Sequence, residues 1–150
     1  MGTAKTNDLN LQRFVDAQAA VMDRVRAELR AGHKRTHWIW FVFPQTAGLG
    51  NSAMAMRYAI GSLDEARAHL AHPVLGPRLK ECTQLVLAVQ GRSIDAIFGH
   101  PDNLKFHSSM TLFAQAAPDE RVFGDALVKY FGGERDAMTL ASLERGADNR

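Results

Sequence analysis

A chain of 150 residues with 46% hydrophobic side chains has the size and composition of one globular domain. A formal charge of +2, from 18 basic and 16 acidic residues, is too small for the field of a dedicated nucleic-acid binder, and Cys82 as the only cysteine excludes internal disulfides and paired-cysteine zinc sites. No run of about 18 apolar residues is present to span a bilayer, and the opening MGTAKTNDLN lacks the apolar segment of a signal peptide, so the expected location is cytoplasmic, with no membrane partner.

Over residues 10–31, apolar side chains recur at Leu11, Phe14, Val21, Val25 and Leu29, a spacing that predicts one helix with Asn10 as N-cap and Gly32 just past its end. In the basic cluster HKRTH that follows, Lys34 and Arg35 are placed to meet the last carbonyls of that helix. Residues 38–43 are aromatic and β-branched and end at Pro44. They read as a short extended segment buried on both sides, with Ile39, Phe41 and Phe43 on one face and Trp38, Trp40 and Val42 on the other. QTAGLGNS then supplies a flexible turn whose backbone can approach a ligand, followed by a short helix over residues 52–60.

Ser62, three residues before Glu65, forms the pattern of a capping box for a helix that His72-Pro73 ends. From Leu75, the apolar positions Leu79, Cys82, Val86 and Val89 advance by alternating steps of four and three to Gly91. This predicts an amphipathic helix at the centre of the core. Ser93 caps a single-turn helix, IDAIF, that closes at Gly99. Pro101 or Asp102 opens a helix running to Ala116, and PDERVFGDALVKYFGG gives another with Val122, Phe123, Ala126, Leu127 and Tyr130 facing in. A last short helix is expected over 136–143. The expected fold is mainly α: a compact single-domain multi-helix protein with at most a short extended aromatic segment, an N-terminal tail over 1–9, one globular domain over 10–143 and a C-terminal tail over 144–150.

The helix PDNLKFHSSMTLF combines Lys105 with Ser108, Ser109 and Thr111. Steps of three and four set Lys105 beside Ser108 and Ser109, an arrangement suited to holding a phosphate or a sugar edge, to activating a serine, or simply to a solvated face whose serines bond back to carbonyls one turn earlier. Asp102 is by default a helix cap, alternatively an ion-pair partner or a catalytic carboxylate. Of the six histidines, at 33, 37, 69, 72, 100 and 107, only His69 and His72 have a spacing that suggests metal, and the end of a helix is also where surface histidines settle. GLGNS lacks the ending of a phosphate loop, although free N–H groups at a helix starting at Ser52 can receive an anion, with Arg57 and Tyr58 nearby. HWIWFVFPQ packs five rings into nine residues, counting His37. Burial alone justifies it, yet the tryptophans beside a glycine loop also offer stacking surfaces.

The order of RAGHKRTHWIWFVFPQ, GLGNS, YAI, HPVLGPRLKE, IFG, Asp102 to Lys105 and SSMTLF resembles the small family known as domain of unknown function eighteen-ten, sometimes mislabelled calpastatin. That resemblance covers nearly the whole chain and implies a mainly helical fold without a settled activity. The layout is also remotely similar to the NADAR, or YbiA-like, group associated with NAD and ADP-ribose chemistry. There an aromatic segment ending in proline precedes a helix with Tyr and Ala, and a later helix carries an acid, a base and Met. Trp40 to Pro44, Tyr58 and Ala59, and Asp102, Lys105 and Met110 occupy the comparable places, whereas the Glu-His step of that group is replaced by AMAMRY.

These readings converge on a pocket for a nucleotide or ADP-ribose-type ligand, with hydrolysis of an N-glycosidic bond as a further expectation. Trp38, Trp40 and Phe43 would stack on a planar base, Gln45 would bond its edge, and Tyr58 on the short helix would add a ring. Gly48, Gly50, Ser52, Arg57, Lys105, Ser108 and Ser109 would hold phosphate and sugar, and Asp102 with Lys105 would serve the chemistry. No cofactor and no metal enter this scheme. The alternatives are a non-enzymatic module for a protein or peptide, marked by an exposed apolar patch, and weak single-strand binding through RAGHKRTHWIW, which the near-neutral charge opposes.

Overall fold

A computed structural model describes residues 9–148, with side chains through Gly146; residues 1–8 of the expected N-terminal tail, and residues 149 and 150, lie outside it. The described residues form ten helices and no strand: α1 (Gln12–Ala19), α2 (Met22–Arg30), α3 (Ile39–Val42), α4 (Ala53–Arg57), α5 (Leu63–Ala71), α6 (Leu75–Ala88), α7 (Ile94–Phe98), α8 (Asp102–Ala116), α9 (Arg121–Phe131) and α10 (Ala137–Asp148). The only sheet-like feature among them is an isolated parallel bridge between Thr46 and Ile60.

The expected first helix is two. Val21 adopts φ −122°, and the break slips the phase by one residue, so that Met22 instead of Val21 is turned into the core. The break leaves the buried Gln18 able to donate to the Phe41 carbonyl at 2.7 Å and to accept from Arg78 at 3.3 Å. Asn10 is not a cap: it sits at φ 51°, and the first turn has no capping side chain. Gly32 does end α2, in a left-handed conformation at φ 68°. Its N–H bonds Leu29 O while the His33 N–H bonds Glu28 O, the paired pattern that closes a helix on a residue without a Cβ.

The aromatic segment is the main departure. Residues 39–42 form one helical turn, with Val42 N–H bonded to Trp38 O and Phe43 N–H to Ile39 O. A helical path abolishes the two alternating faces expected of a strand: Trp38, Ile39, Phe41, Val42 and Phe43 are all buried, and only Trp40 is half-buried. β-branched and aromatic composition expresses fit to a half-buried pleated surface more than a backbone preference, and in this chain tertiary packing decides.

The centre of the core is α8, not α6. Every residue from Ser108 to Ala114 is buried, and the helix packs against α3, α5, α7, α9 and α10. The stretch 108–114, buried on all sides, has no amphipathic period to read, whereas the first turns of the helix keep Leu104 exposed and Lys105 half-buried. Amphipathic α6 packs against α2, α5 and α9. The serine caps of α4, α5 and α7 form as expected, Ser52, Ser62 and Ser93 each accepting from the N–H three residues on at 3.1 Å; Glu65 bonds the Gly61 N–H instead of that of Ser62. The last helix runs to Asp148, five residues beyond its expected end. No helix among the described residues is long and apolar enough to cross a membrane.

Candidate functional site

Glu28 organises the approach to the aromatic turn. Its buried carboxylate accepts from Arg35 N at 2.8 Å, Thr36 N at 3.1 Å, Thr36 Oγ1 at 2.7 Å and Trp38 Nε1 at 2.9 Å. Burial pushes this carboxyl up, but the donors of Thr36, Arg35 and Trp38 outweigh it and hold the group at about 2. Trp38, with its indole N–H engaged and 1% exposure, packs on Phe43 and Phe98, while Phe43 in turn meets Phe106. Both side chains are closed off from the surface. Tyr58 is buried between Phe14 and Phe41, so it too belongs to the core and not to a stacking platform.

Trp40, Asp102 and Lys105 do come together. Lys34, whose side chain is 5% exposed, donates from Nζ to Thr36 O at 2.6 Å and pairs with Asp102 Oδ2 at 2.7 Å, so it does not serve the carbonyls of α2. Asp102 Oδ1 faces Lys105 Nζ at 3.5 Å, and that ammonium lies 5.1 Å from the centre of the Trp40 ring. Asp102 is the first residue of α8 and makes no cap bond. Two ammonium groups thus share one carboxylate, and the tighter pair is the one away from the surface.

Lys105 also forms part of the wall of a hollow of about 300 Å³ with Gln45, Gly50, Ser108, Asp136 and Met138. Ser108 Oγ donates to Leu104 O at 3.1 Å and to Asp136 Oδ2 at 3.3 Å. Asp136 Oδ2 further accepts from Thr139 N and Oγ1 at 2.9 and 2.6 Å, capping α10, and Asp136 N bonds Thr111 Oγ1 at 2.9 Å. Asp136 was not singled out from the sequence, although its spacing from Thr139 has the form of a helix cap. Ser109 points elsewhere: it is fully buried, and its hydroxyl has no partner.

On the other side of Gln45 and Gly50 lies a second hollow of about 340 Å³, lined also by Gly48, Asn51, Ala55 and Met56. Ile60 N bonds Gln45 O at 2.9 Å and Ala47 N bonds Ile60 O at 2.8 Å, which fixes the strut between the hollows. Gly50 has no alternative, since a Cβ there would stand 2.7 Å from that of Ala55. Ser52 caps α4 and lines neither hollow; Arg57 is exposed with its guanidinium over Tyr58, and it lines neither as well.

His69 and His72 do not form a pair for a metal. His72 Nδ1 accepts from Val74 N and Leu75 N at 3.1 and 3.3 Å. His69, far from a surface residue, is buried between Phe14 and Phe113 with both ring nitrogens unpartnered, and burial, then the charges of His72 and Arg13, pull it down to about 3. Burial likewise pushes the Cys82 thiol up to about 12, which leaves it unreactive.

Fold and site together define a mainly helical single-domain protein with two small adjoining hollows, one of them against its central helix. The chain belongs to the family described as Protein of unknown function (DUF1810), which it matches over residues 8–143. It is similar to the conserved hypothetical protein Rv1873 from Mycobacterium tuberculosis, known from a crystal structure at 1.38 Å, with 58% identity and a TM-score of 0.90 over 91% of this chain and 98% of that one. Among curated proteins nothing matches.

Proposed function

We propose that the chain binds a nucleotide or ADP-ribose-type ligand at the hollow of Lys105, which meets the ligand's phosphate. The observation that carries this reading is the division of labour around Asp102. Lys34, at 2.7 Å, keeps that carboxylate compensated, so Lys105, at 3.5 Å, can turn toward an anion without leaving an unpaired charge behind. The nearby Asp136 is already occupied by Thr139 and Ser108 and sits at the N-terminus of α10, where negative charge is favoured. Its charge therefore opposes an incoming phosphate less than its position suggests.

The same contacts bear on hydrolysis. Asp102 is held by two ammonium groups and Asp136 by two threonine donors and a serine, so each carboxylate has a positioning role and neither stands ready to move a proton. Binding is the function that the geometry supports. Calorimetric titration with ADP-ribose, NAD and mononucleotides tests it: heat with at least one of them, weakened about tenfold or more in Lys105→Gln, is expected, because one charge-assisted contact is worth about 1.5–3 kcal/mol. Absence of heat with all of them in folded protein removes the reading.

One observation favours the alternative of a protein-interaction module. Of the four exposed large apolar side chains among the described residues, Met56, Leu104 and Met138 rim these two hollows; Val128 does not. Loss of self- or partner association in Leu104→Ser and Met138→Ser, without any nucleotide binding in the parent protein, would support that alternative.

A further inference from the structure

The two hollows differ in what surrounds them. Lys105 and Asp136 stand in the wall of one, whereas no charged side chain lines the other. The uncharged hollow instead has the apolar side chain of Met56, 67% exposed, and two carboxamides at its edge, Gln45 and Asn51. Neither carboxamide makes a side-chain hydrogen bond within the described residues, while Thr46 Oγ1 beside them is occupied by Ile60 O at 3.4 Å. A carboxamide offers donors and an acceptor side by side, which matches the edge of a nucleobase, and a thioether is a favourable neighbour for an aromatic ring. A phosphate has no cation to meet there.

We infer that this second hollow is the base subsite of the same ligand. A mononucleotide would place its phosphate at Lys105 and its sugar over the strut at Gln45 and Gly50. Its base would lie against Met56, with its edge read by Gln45 and Asn51. This inference rests on the reading of the Lys105 hollow given above and adds to it a direction of binding and a specificity element. The direction follows from charge: reversing the ligand would leave the phosphate uncompensated and the base against an ammonium. Gly50 lines both hollows, so the path between them runs along its backbone.

The test compares ribose 5-phosphate with the four ribonucleoside monophosphates by calorimetry on the full chain. Expected is a preferred monophosphate that binds about tenfold more tightly than ribose 5-phosphate, as stacking and edge contacts of a base provide. Asn51→Ala and Met56→Ala, both at exposed positions where folding is not in question, are expected to lower that affinity about fivefold each and to leave ribose 5-phosphate unchanged. Lys105→Gln should weaken both ligands. If ribose 5-phosphate and every monophosphate bind equally, or if Asn51→Ala and Met56→Ala change nothing, the base subsite is refuted while phosphate binding at Lys105 stands. If no monophosphate and no ribose 5-phosphate binds while ADP-ribose or NAD does, the base subsite falls alone; if none of these ligands binds, both readings fall together.

Discussion

Trp38 and Trp40 are two residues apart and have opposite surroundings. Around Trp38, each polar group is committed: its indole N–H, two backbone N–H groups and a hydroxyl all converge on Glu28, and Lys34 is bound to both Thr36 O and Asp102. Beside Trp40, whose buried indole N–H has no partner and which lines neither hollow, Lys105 is loosely paired, and at the hollows the Gln45 carboxamide bonds nothing among the described residues. Full satisfaction ties the Trp38 cluster to the fold, since an unpaired buried group costs about 1–3 kcal/mol. Groups left uncommitted at an accessible hollow are the ones available to a ligand.

The sharpest way to break this contrast is Glu28→Ala. It leaves four donors facing a void, and a loss of about 3 kcal/mol or more in urea unfolding is expected. A loss under about 1 kcal/mol would show that the loop does not depend on its carboxylate. The folded-state value of about 2 for Glu28 lies below its ordinary one, so its contribution is present above pH 4.5 and is lost as pH falls from there toward 2.

His69 gives the next largest effect, with a different window. A folded-state value of about 3 means that only the unfolded chain takes up this proton between pH 6.5 and 3, so stability falls as pH drops through that range. The expected loss between pH 8 and pH 5 is about 2 kcal/mol, and His69→Leu, which keeps the core filled, should remove that slope. Unfolding curves of the two proteins at both pH values decide the matter; parallel pH dependence would mean that His69 is charged or solvated when folded.

The tryptophans themselves give a comparable effect at one site and the smallest at the other. Trp38→Phe removes a donor from a buried carboxylate and is expected to cost about 1.5–3 kcal/mol, whereas Trp40→Phe removes an N–H that bonds nothing and should stay within about 0.5 kcal/mol of the parent protein. Equal losses at the two sites would erase the distinction between them.

Much of the fold was legible because its signals are local. Serine caps at 52, 62 and 93, the left-handed glycine after α2 and the four-three spacing of α6 each depend on a few neighbouring residues. What escaped was set by tertiary contact. Residues 38–43 have strand composition but coil into one turn around a carboxylate ten residues earlier, and α8 hides its role because its residues 108–114, buried on every side, carry no polar face. For the site, Lys105, Ser108, Gln45 and Gly50 are identifiable as candidates and do share a hollow, while Trp38, Phe43 and Tyr58, chosen for aromatic character and, for the last two, for their place in the NADAR-like layout, are core. Asp136 and Met138 carry no local signal of a site, and Lys34 reads locally as a partner for helix carbonyls, since each takes its role from a distant contact, as the Ser108–Asp136 bond spans 28 residues.

The most direct measurement is calorimetric titration of the tightest-binding mononucleotide into Trp38→Phe and Lys105→Gln, side by side with the unmodified protein. Expected is affinity within about twofold for Trp38→Phe, despite its lower stability, and a loss of about tenfold or more for Lys105→Gln, whose stability stays within about 0.5 kcal/mol. Retained affinity in Lys105→Gln, or an equal loss in Trp38→Phe, would contradict the assignment of one region to the fold and the other to a ligand.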